Sequence, residues 1–340
     1  MANELRVAVV GAGIAGLATA RLLTQSGVSA VVFEKSRGYG GRAATRRLKG
    51  YTFDTGATSV TPRGLEIGRV IREELDTSEL VEIEKPVFVF QGDRVVQGDA
   101  SRAVRPRYTY RSGMTRLAKL LAAEVDVRLE TTIDVLEPHP DGRIVVRGEA
   151  FDYVVLTPPL PQTVRLLATL GDPRTFEHAA YRCCLSVLLG FRAEIGEVPY
   201  FAVIDPEQRR PLTWLSLESV KSPGRAPAGC TAMVAQLGPG YSAARYDTPD
   251  DRIVENVVDY IRRSYGATWP DPEVSAVKRW RYSQPEIGYH FGDANPPGVR
   301  VIVAGDGTTA PRIENAYESG VLAAKRILAE CGILAVETNP

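Results

Sequence analysis

Residues 5–10 form a short apolar run that feeds directly into Gly11-Ala12-Gly13-Ile14-Ala15-Gly16, and a second apolar run over 30–33 ends on Glu34. Strand, tight glycine turn, helix and second strand is the local structure in which each of these residues has a physical task. Gly11 lets the backbone turn sharply out of the strand. Gly13 removes a side chain where a pyrophosphate must approach, and Gly16 lets helix and strand pack closely. The amides of Ile14 and Ala15 open a helix expected over 14–25, where free N–H groups and the helix dipole favour phosphate oxygens. Glu34 ends the second strand, where a carboxylate accepts hydrogen bonds from the ribose hydroxyls of an adenosine and disfavours a 2′-phosphate on that ribose. The unit predicts a parallel α/β sheet that binds a dinucleotide.

The residues just past Glu34 narrow the dinucleotide. Lys35-Ser36-Arg37-Gly38-Tyr39-Gly40-Gly41-Arg42 places a second flexible backbone segment and a guanidinium where both can return over the same pyrophosphate. This pattern resembles the glutathione-reductase-type FAD proteins, and more narrowly their amine oxidase and protoporphyrinogen oxidase branch. Far along the chain, an apolar run over 299–304 leads into Gly305-Asp306-Gly307 and a helix expected over 314–330. In an FAD protein an acid at Asp306 binds a ribityl hydroxyl. The helix start around Ile313, Asn315 and Ala316 then aims amides at the pyrimidine edge of the flavin, which is negative when reduced. The alternatives are a solvated basic loop, since Arg37, Arg42, Arg46 and Arg47 crowd together, and a plain Gly-Asp-Gly turn. The register of both elements with the opening fingerprint favours noncovalent FAD.

A chain of 340 residues, 44% hydrophobic and 24% charged, is ample for one large or two intimate globular domains. Its formal net charge of zero argues against a nucleic-acid partner, which would call for a basic footprint. No stretch approaches 18 uninterrupted apolar residues, so no membrane span is expected. The apolar run over 7–20 is broken by the glycine fingerprint and reads as the first βαβ unit, not a targeting peptide. The four cysteines show no CxxC spacing; Cys183-Cys184 fits a buried strand with one thiol to each face, in a reducing, cytoplasmic setting. His139, His178 and His290 are too scattered to build a metal site.

The two halves of the chain interleave. We expect an FAD-binding domain from residues 1–60, 106–160 and 285–335, and a substrate domain on a mixed β-sheet from 61–105 and 161–284. Apolar spacing predicts helices over 62–75, 162–170 and 249–264, and one over 113–124 capped by Ser112. A hairpin is expected from 87–90 and 94–97, and strands over 125–129, 131–137, 144–147, 151–157, 184–191, 200–204, 212–217, 231–236 and 274–282. The strand that precedes Gly305 cannot bury its faces alone and completes a parallel sheet begun at residue 5.

The motif order sharpens the resemblance. The Lys35–Arg42 element, Asp54-Thr55-Gly56-Ala57, Thr157-Pro158-Pro159, Arg279-Trp280-Arg281-Tyr282 and Gly305-Asp306 through Arg312-Ile313-Glu314-Asn315-Ala316 resemble the bacterial renalase family over nearly the whole chain. The resemblance implies an oxidase of mis-reduced nicotinamide dinucleotides, the 2- and 6-dihydro isomers of NAD(P)H. Hydride passes to flavin N5, and dioxygen reoxidises the flavin to give hydrogen peroxide. It also implies cofactor contacts from Lys35, Gly56, Ala57 and Ile133. Two stretches depart from the pattern: Thr58-Ser59-Val60 and Gly307-Thr308-Thr309 stand where aromatics are expected. Alternatives within the branch are an amine oxidase or a desaturase, and outside it a flavin-binding sensor without turnover.

Candidate pocket residues are Thr58, Trp280, Arg281 and Tyr282, with Tyr289 and His290 as rim residues. On a strand, Arg279 and Arg281 point opposite to Trp280, so either the indole or the arginine pair faces the pocket. Substrate phosphates would need cations outside the FAD site, for which Arg63, Arg105, Arg107 and Arg111 are candidates. No histidine–carboxylate pair stands out, and hydride removal from a dihydropyridine needs none, because no proton is abstracted.

Overall fold

The computed structural model describes residues 5–63, 65–91, 94–98, 105–266 and 269–334. The opening fingerprint builds a βαβ unit: strand Arg6–Val10, helix Ile14–Gln25 and strand Ser29–Phe33, paired in parallel from Arg6 with Ser29 to Val10 with Phe33. This pair forms the middle of a five-stranded parallel sheet. Its order is Val301–Val303, Tyr153–Leu156, Arg6–Val10, Ser29–Phe33 and Asp126–Arg128. From the first strand the chain steps outward to one side through Ser29–Phe33, while Tyr153–Leu156 occupies the other. Such a reversal opens a crevice at the carboxyl ends of the strands, where ligands bind in doubly wound sheets.

Alternation along the strands sorts the side chains onto two faces. Val7, Val9, Val155 and Ile302 pack with Leu17, Leu23 and the C-terminal helix Ile313–Glu330. Ala8, Val10, Val154, Leu156 and Val303 pack on the other side with Leu160, Leu166 and Leu167 of the helix Leu160–Thr169. Full burial of leucines such as Leu17 and Leu23 contributes about 1.5–3 kcal/mol each. Helices Ile14–Gln25 and Ile313–Glu330 cross closely through small residues, and Thr19 donates to the carbonyls of Ala15 and Gly320 at 3.0 and 2.9 Å. Ile67, Val70 and Ile71 join the same core as Val7 and Leu17, so the segment after residue 60 packs on the parallel-sheet side.

A second, seven-stranded sheet runs in the order Val274–Ile287, Ala180–Phe191, Thr231–Leu237, Leu212–Leu217, Ala202–Ile204, Val87–Gln91 and Arg94–Gln97. It is antiparallel except where Ala202–Ile204 meets Val87–Gln91, so it is mixed as expected. One face, with Leu185, Val187 and Leu189, packs on Ile253, Val257 and Ile261 of the helix Asp250–Tyr265. The other, with Leu188 and Val234, packs on Tyr51 and Phe53 next to the cofactor-binding elements. The orientation of this sheet decides which of its side chains reach the site.

Several local expectations are corrected. The helix expected over 62–75 occupies only Ile67–Glu74, because Val60 is in β-type pairing with Tyr108 and Arg63 adopts φ 54°. Its second half is wound wider, as the Leu75 amide reaches back to the Val70 carbonyl at 3.0 Å. Ser112 caps nothing. The helix spans Thr115–Leu121, and the amides of Met114 and Thr115 donate instead to Asp54 and Thr45 at 2.8 and 3.0 Å. The stretch 131–137 is not a strand; only Glu137–Pro138 pairs, with Ile144–Val146. Long-range partners outcompeted local propensity in each case.

Candidate active site

The glycine turn is shaped by what it lacks. Gly11 sits at φ 104°, and a Cβ there would stand 2.6 Å from the Thr157 hydroxyl oxygen. A Cβ on Gly16 would collide with the Gly11 carbonyl, so this glycine is required by packing. At Gly13 a Cβ would meet no atom within 4 Å, so the space over the helix start is open, as a pyrophosphate requires. The amides of Ile14, Ala15 and Gly16 open the helix without intrahelical acceptors.

The second glycine element returns over the first. The Gly40 amide donates to the Ala12 carbonyl at 2.8 Å, and a Cβ on Gly41 would lie 3.5 Å from the Gly13 α-carbon. Glu34 is buried and accepts from the amides of Ala12 and Ser36, both at 2.8 Å. That fixes the carboxylate at the end of its strand and leaves further lone pairs for ribose hydroxyls. Ile133 is buried beside Phe33, and Lys35 is exposed just past Glu34. An open glycine cradle, free helix amides and a fixed acid fit the FAD that the sequence predicts.

Two loops 264 residues apart in sequence close on this cradle. Arg42 forms a bidentate pair with Asp306 at 2.8 and 2.6 Å and also donates to the Ser283 carbonyl at 3.2 Å. Gly305, at φ 120°, donates to the Ser319 hydroxyl at 2.8 Å, and Thr308 bonds both Gly305 and Ser319 at 2.9 Å. Ile313 is buried at the start of the C-terminal helix, where the Ala316 amide donates to Arg312 and the Asn315 carbonyl accepts from Thr309.

The loop 54–58 is held by side chains from the large sheet and from the short helix Glu218–Lys221. Trp280 donates its indole N–H to the Thr55 carbonyl at 2.8 Å, Gln236 donates to Gly56 at 2.6 Å, and Lys221 to Thr58 at 3.0 Å. The Ala57 amide donates to the Arg42 carbonyl at 2.9 Å, and Gly56 leaves no room for a side chain against that same carbonyl. Thr58 is buried.

The large sheet settles the choice left open along residues 279–282. Trp280 faces the loop, and Arg279 and Arg281 face away. Arg279 bonds the carbonyls of Tyr246 and Thr248, and Arg281 lies 5.1 Å over the Tyr246 ring. Arg281 is therefore not a pocket residue, a correction explained by strand alternation once the packed face is known. Past Trp280 the pairing with Ala180–Phe191 shifts register, and within that bulge Ser283 meets Arg42. Tyr282 packs edge-on to Tyr181 at 5.8 Å.

Tyr181 is a residue that sequence reasoning missed. Its hydroxyl occupies the space a side chain at Gly307 would need and accepts from the Leu160 amide at 3.2 Å. Burial pushes this phenol up to about 12, so it stays protonated. An aromatic from another sheet thus fills the position where the loop itself lacks one. Gln236 and Lys278 were missed too. Lys278 lies 4.6 Å over the Trp280 ring, and desolvation, then the like charges of Arg46 and Lys35, hold its amine below the ordinary lysine value. No local motif marks these three; strand alternation around Trp280 was the one available signal.

Of the other candidates, Tyr289 packs on Phe176 and donates its amide to Gly307, and His290 is exposed. Arg111 pairs through its backbone with Glu79 and stands apart from Arg63, Arg105 and Arg107. Those three gather instead with Arg312. A cavity lined by Leu212, Leu237, Tyr241 and Tyr260 lies on the opposite face of the large sheet and has no part in this site. Among the described residues no cluster of histidine, cysteine and carboxylate groups could hold a metal ion, and no helix is long and apolar enough to cross a membrane.

Behind loop 54–58 lies a fully buried tetrad of two acids and two bases. Asp54 and Glu218 are bridged by Lys221, at 2.8 and 2.7 Å, and by Arg225, whose bond to Asp54 is 2.6 Å. Thr109, the Tyr110 carbonyl and Ser216 add further hydrogen bonds, and the buried Arg225 Nε–H is left without an acceptor among the described residues. Desolvation would raise the Asp54 pKa, but Lys221 and Arg225 outweigh it and lower it to about 2.

Comparison with known proteins agrees with this geometry. Residues 9–73 match the family described as NAD(P)-binding Rossmann-like domain, and residues 86–328 match the family described as Flavin containing amine oxidoreductase. Rat amine oxidase [flavin-containing] B is 38% identical over 94 residues, 27% of this chain and 18% of that protein. A 4,4′-diapophytoene desaturase (4,4′-diapolycopene-forming) of Methylomonas sp. is 40% identical over 65 residues, 19% of this chain and 13% of that protein. The matched stretch thus spans less than a fifth of either relative. Two solved structures share the fold across 96% of this chain and 99% of their own. One is a protein of Exiguobacterium sp. 255-15 provisionally assigned as a protoporphyrinogen oxidase (TM-score 0.78, 17% identity). The other is a putrescine oxidase bound to putrescine (TM-score 0.73, 13% identity).

Proposed function

This chain belongs to the flavin-containing amine oxidoreductase family, and within it we propose a renalase-like oxidase of the 2- and 6-dihydro isomers of NAD(P)H. One observation carries the reading. The carboxylate where the two loops meet, Asp306, is locked in a bidentate pair with Arg42 and so is not free to act as a base, while aromatic rings, amides and hydroxyls line the loops beside it. A dihydropyridine becomes an aromatic pyridinium by losing hydride alone, so a site of this composition suits it.

In this reading Gly11, Gly13, Ile14, Ala15, Gly16, Glu34, Gly41, Arg42, Gly305 and Asp306 hold FAD, with Lys35, Gly56, Ala57, Ile133, Ile313, Asn315 and Ala316 around it. FAD, when bound, supplies the hydride acceptor and passes two electrons to dioxygen, which with solvent protons leaves as hydrogen peroxide. Trp280, Tyr282 and Thr58 orient the substrate ring. Trp280 is fixed by its bond to Thr55, and Tyr282 by its contact with Tyr181. Catalysis is then chiefly a matter of orientation and exclusion of water. The test is anaerobic mixing of the FAD-loaded protein with 6-dihydroNAD and with 2-dihydroNAD. Rapid bleaching of the flavin absorbance is expected, and no bleaching with either isomer overturns the reading.

Amine oxidation is the second reading, favoured by the Tyr181–Tyr282 aromatic pair and by Trp280 against loop 54–58. Peroxide release with amines, without bleaching by dihydronicotinamides, would establish it instead.

A further inference from the structure

Three segments far apart in sequence meet beside loop 54–58. Val60 and Tyr108 exchange backbone hydrogen bonds at 2.8 Å in both directions, and the Thr61 amide donates to the Glu314 carboxylate. These contacts draw Arg63, Arg105, Arg107 and Arg312 together. Arg63 lies in the fields of Arg312, Arg105 and Glu314, and Arg107 in those of Arg63, Arg312 and Glu314. Burial first, then these like charges, pull both guanidiniums below the ordinary arginine value.

The cluster is out of balance. Arg63 and Arg107 share the field of one carboxylate, Glu314, with Arg312 near both and Arg105 near Arg63, and that carboxylate is buried and already engaged by Thr61. Among the described residues, none of the four side chains has a hydrogen-bond or ion-pair partner, whereas Arg6, Arg21, Arg69, Arg116, Arg128 and Arg174 are all paired. An arginine does not relieve repulsion by losing its proton, and Arg63, Arg105 and Arg312 are open to solvent, so an anion can reach the cluster and pair with it. The long C-terminal helix begins at Ile313, next to Arg312, and adds its positive end to the same place. Arg63 holds φ 54°, a conformation that costs energy for a residue with a side chain and that clusters at ligand sites.

We propose that Arg63, Arg105, Arg107 and Arg312 form an anion subsite that takes a phosphoryl group of the substrate. Its place in the chain fits: Arg63 follows Thr58 by five residues and Arg312 follows Asp306 by six, so both site loops run directly into it. The identification of the phosphate's carrier as a dihydronicotinamide dinucleotide rests on the function proposed above. The subsite itself does not. A planar guanidinium pairs with two phosphate oxygens at once, which is why arginines rather than lysines suit this task.

The test uses FAD-loaded protein, so that the cofactor's own phosphate site is filled. Inorganic pyrophosphate should bind, read by calorimetry and by a rise in melting temperature. Arg107→Ala and Arg312→Ala should each weaken that binding at least tenfold, and Arg107→Lys should restore part of it. In turnover, 6-dihydroNAD should be preferred over the phosphate-free 6-dihydronicotinamide riboside, and Arg107→Ala should erase most of that preference through KM, with kcat little changed. A larger effect of the variants on 6-dihydroNADP than on 6-dihydroNAD would identify the 2′-phosphate as the group bound; equal effects would identify the pyrophosphate. If pyrophosphate binds and requires Arg107 but no dihydronicotinamide bleaches the flavin, the subsite stands and the substrate assignment falls. If dihydronicotinamides bleach the flavin but pyrophosphate does not bind, or binds equally well to both variants, the subsite is overturned.

Discussion

Two charged clusters flank loop 54–58, and they are built on opposite terms. The Asp54–Glu218–Lys221–Arg225 tetrad has no exposed side chain, equal numbers of acids and bases, and direct ion pairs between them. The Arg63–Arg105–Arg107–Arg312 cluster gathers four like charges, of which Arg63 and Arg107 share the field of one acid, Glu314. Both gather residues from segments more than a hundred positions apart. The difference teaches which one serves the fold. A buried charge is tolerated when its partners are inside with it, whereas the arginine cluster is open to solvent at Arg63, Arg105 and Arg312 and can take an anion from outside. The tetrad also delivers Lys221 to the Thr58 carbonyl, so the structural cluster sets the shape of the loop against which the other is placed.

The contrast should show most visibly in stability. Lys221→Met, which strands buried carboxylates, should cost about 3–5 kcal/mol in urea unfolding of the cofactor-free protein. Arg107→Ala removes one of several repelling charges and should leave stability unchanged or slightly higher; a loss above about 1 kcal/mol would show that the arginine cluster is structural as well.

Acid tests the tetrad by a second route, through a carboxyl held well below its ordinary value. The folded-state pKa of Asp54 is lowered from 3.8 to about 2. The ionised form is therefore favoured by folding: its contribution is fully present above pH 4 and lost as pH falls towards 2. On the order of 2 kcal/mol should disappear across that window. An Asp54→Asn variant should be less stable at neutral pH and lack this acid step. An unchanged step in the variant would assign it to other carboxyls.

The smallest stability effect should come from Gly13→Ala. A Cβ there meets no atom within 4 Å and the residue sits at φ −76°, so the cofactor-free protein should change by less than about 0.5 kcal/mol. FAD retention on gel filtration should nevertheless fall sharply, because the methyl group intrudes where the pyrophosphate must lie. Retention equal to that of the native protein would mean that the cradle is not at Gly13.

How much was legible depends on how local the cause is. The helix over 14–25 and the strands around it were readable because glycine sterics and apolar runs act within a few residues. The helix start at Thr115 was not, since its amides are met by Asp54 and Thr45, sixty and seventy positions earlier. The strand Val274–Ile287 is recognisable from its residue types, yet nothing local says which of its sides carries function. Tyr181 has no motif at all and acquires its role from the gap that Gly307 leaves.

The cofactor cradle is written in the amino-acid sequence alone: Gly11, Gly13, Gly16, Glu34 and Gly41 act through backbone conformation and through the absence of side chains, which are properties a short segment carries with it. Tertiary packing was needed to turn Trp280 to the site and Arg281 away from it, to pair Asp306 with Arg42, and to bring three of the four expected arginines to a fourth at Arg312. Those outcomes depend on which face of a sheet is buried and on the register of strands far apart in sequence, such as Cys184 with Trp280. A one-residue slip in such pairing reverses every side chain, so that information resides in the packed assembly rather than in any local stretch of chain.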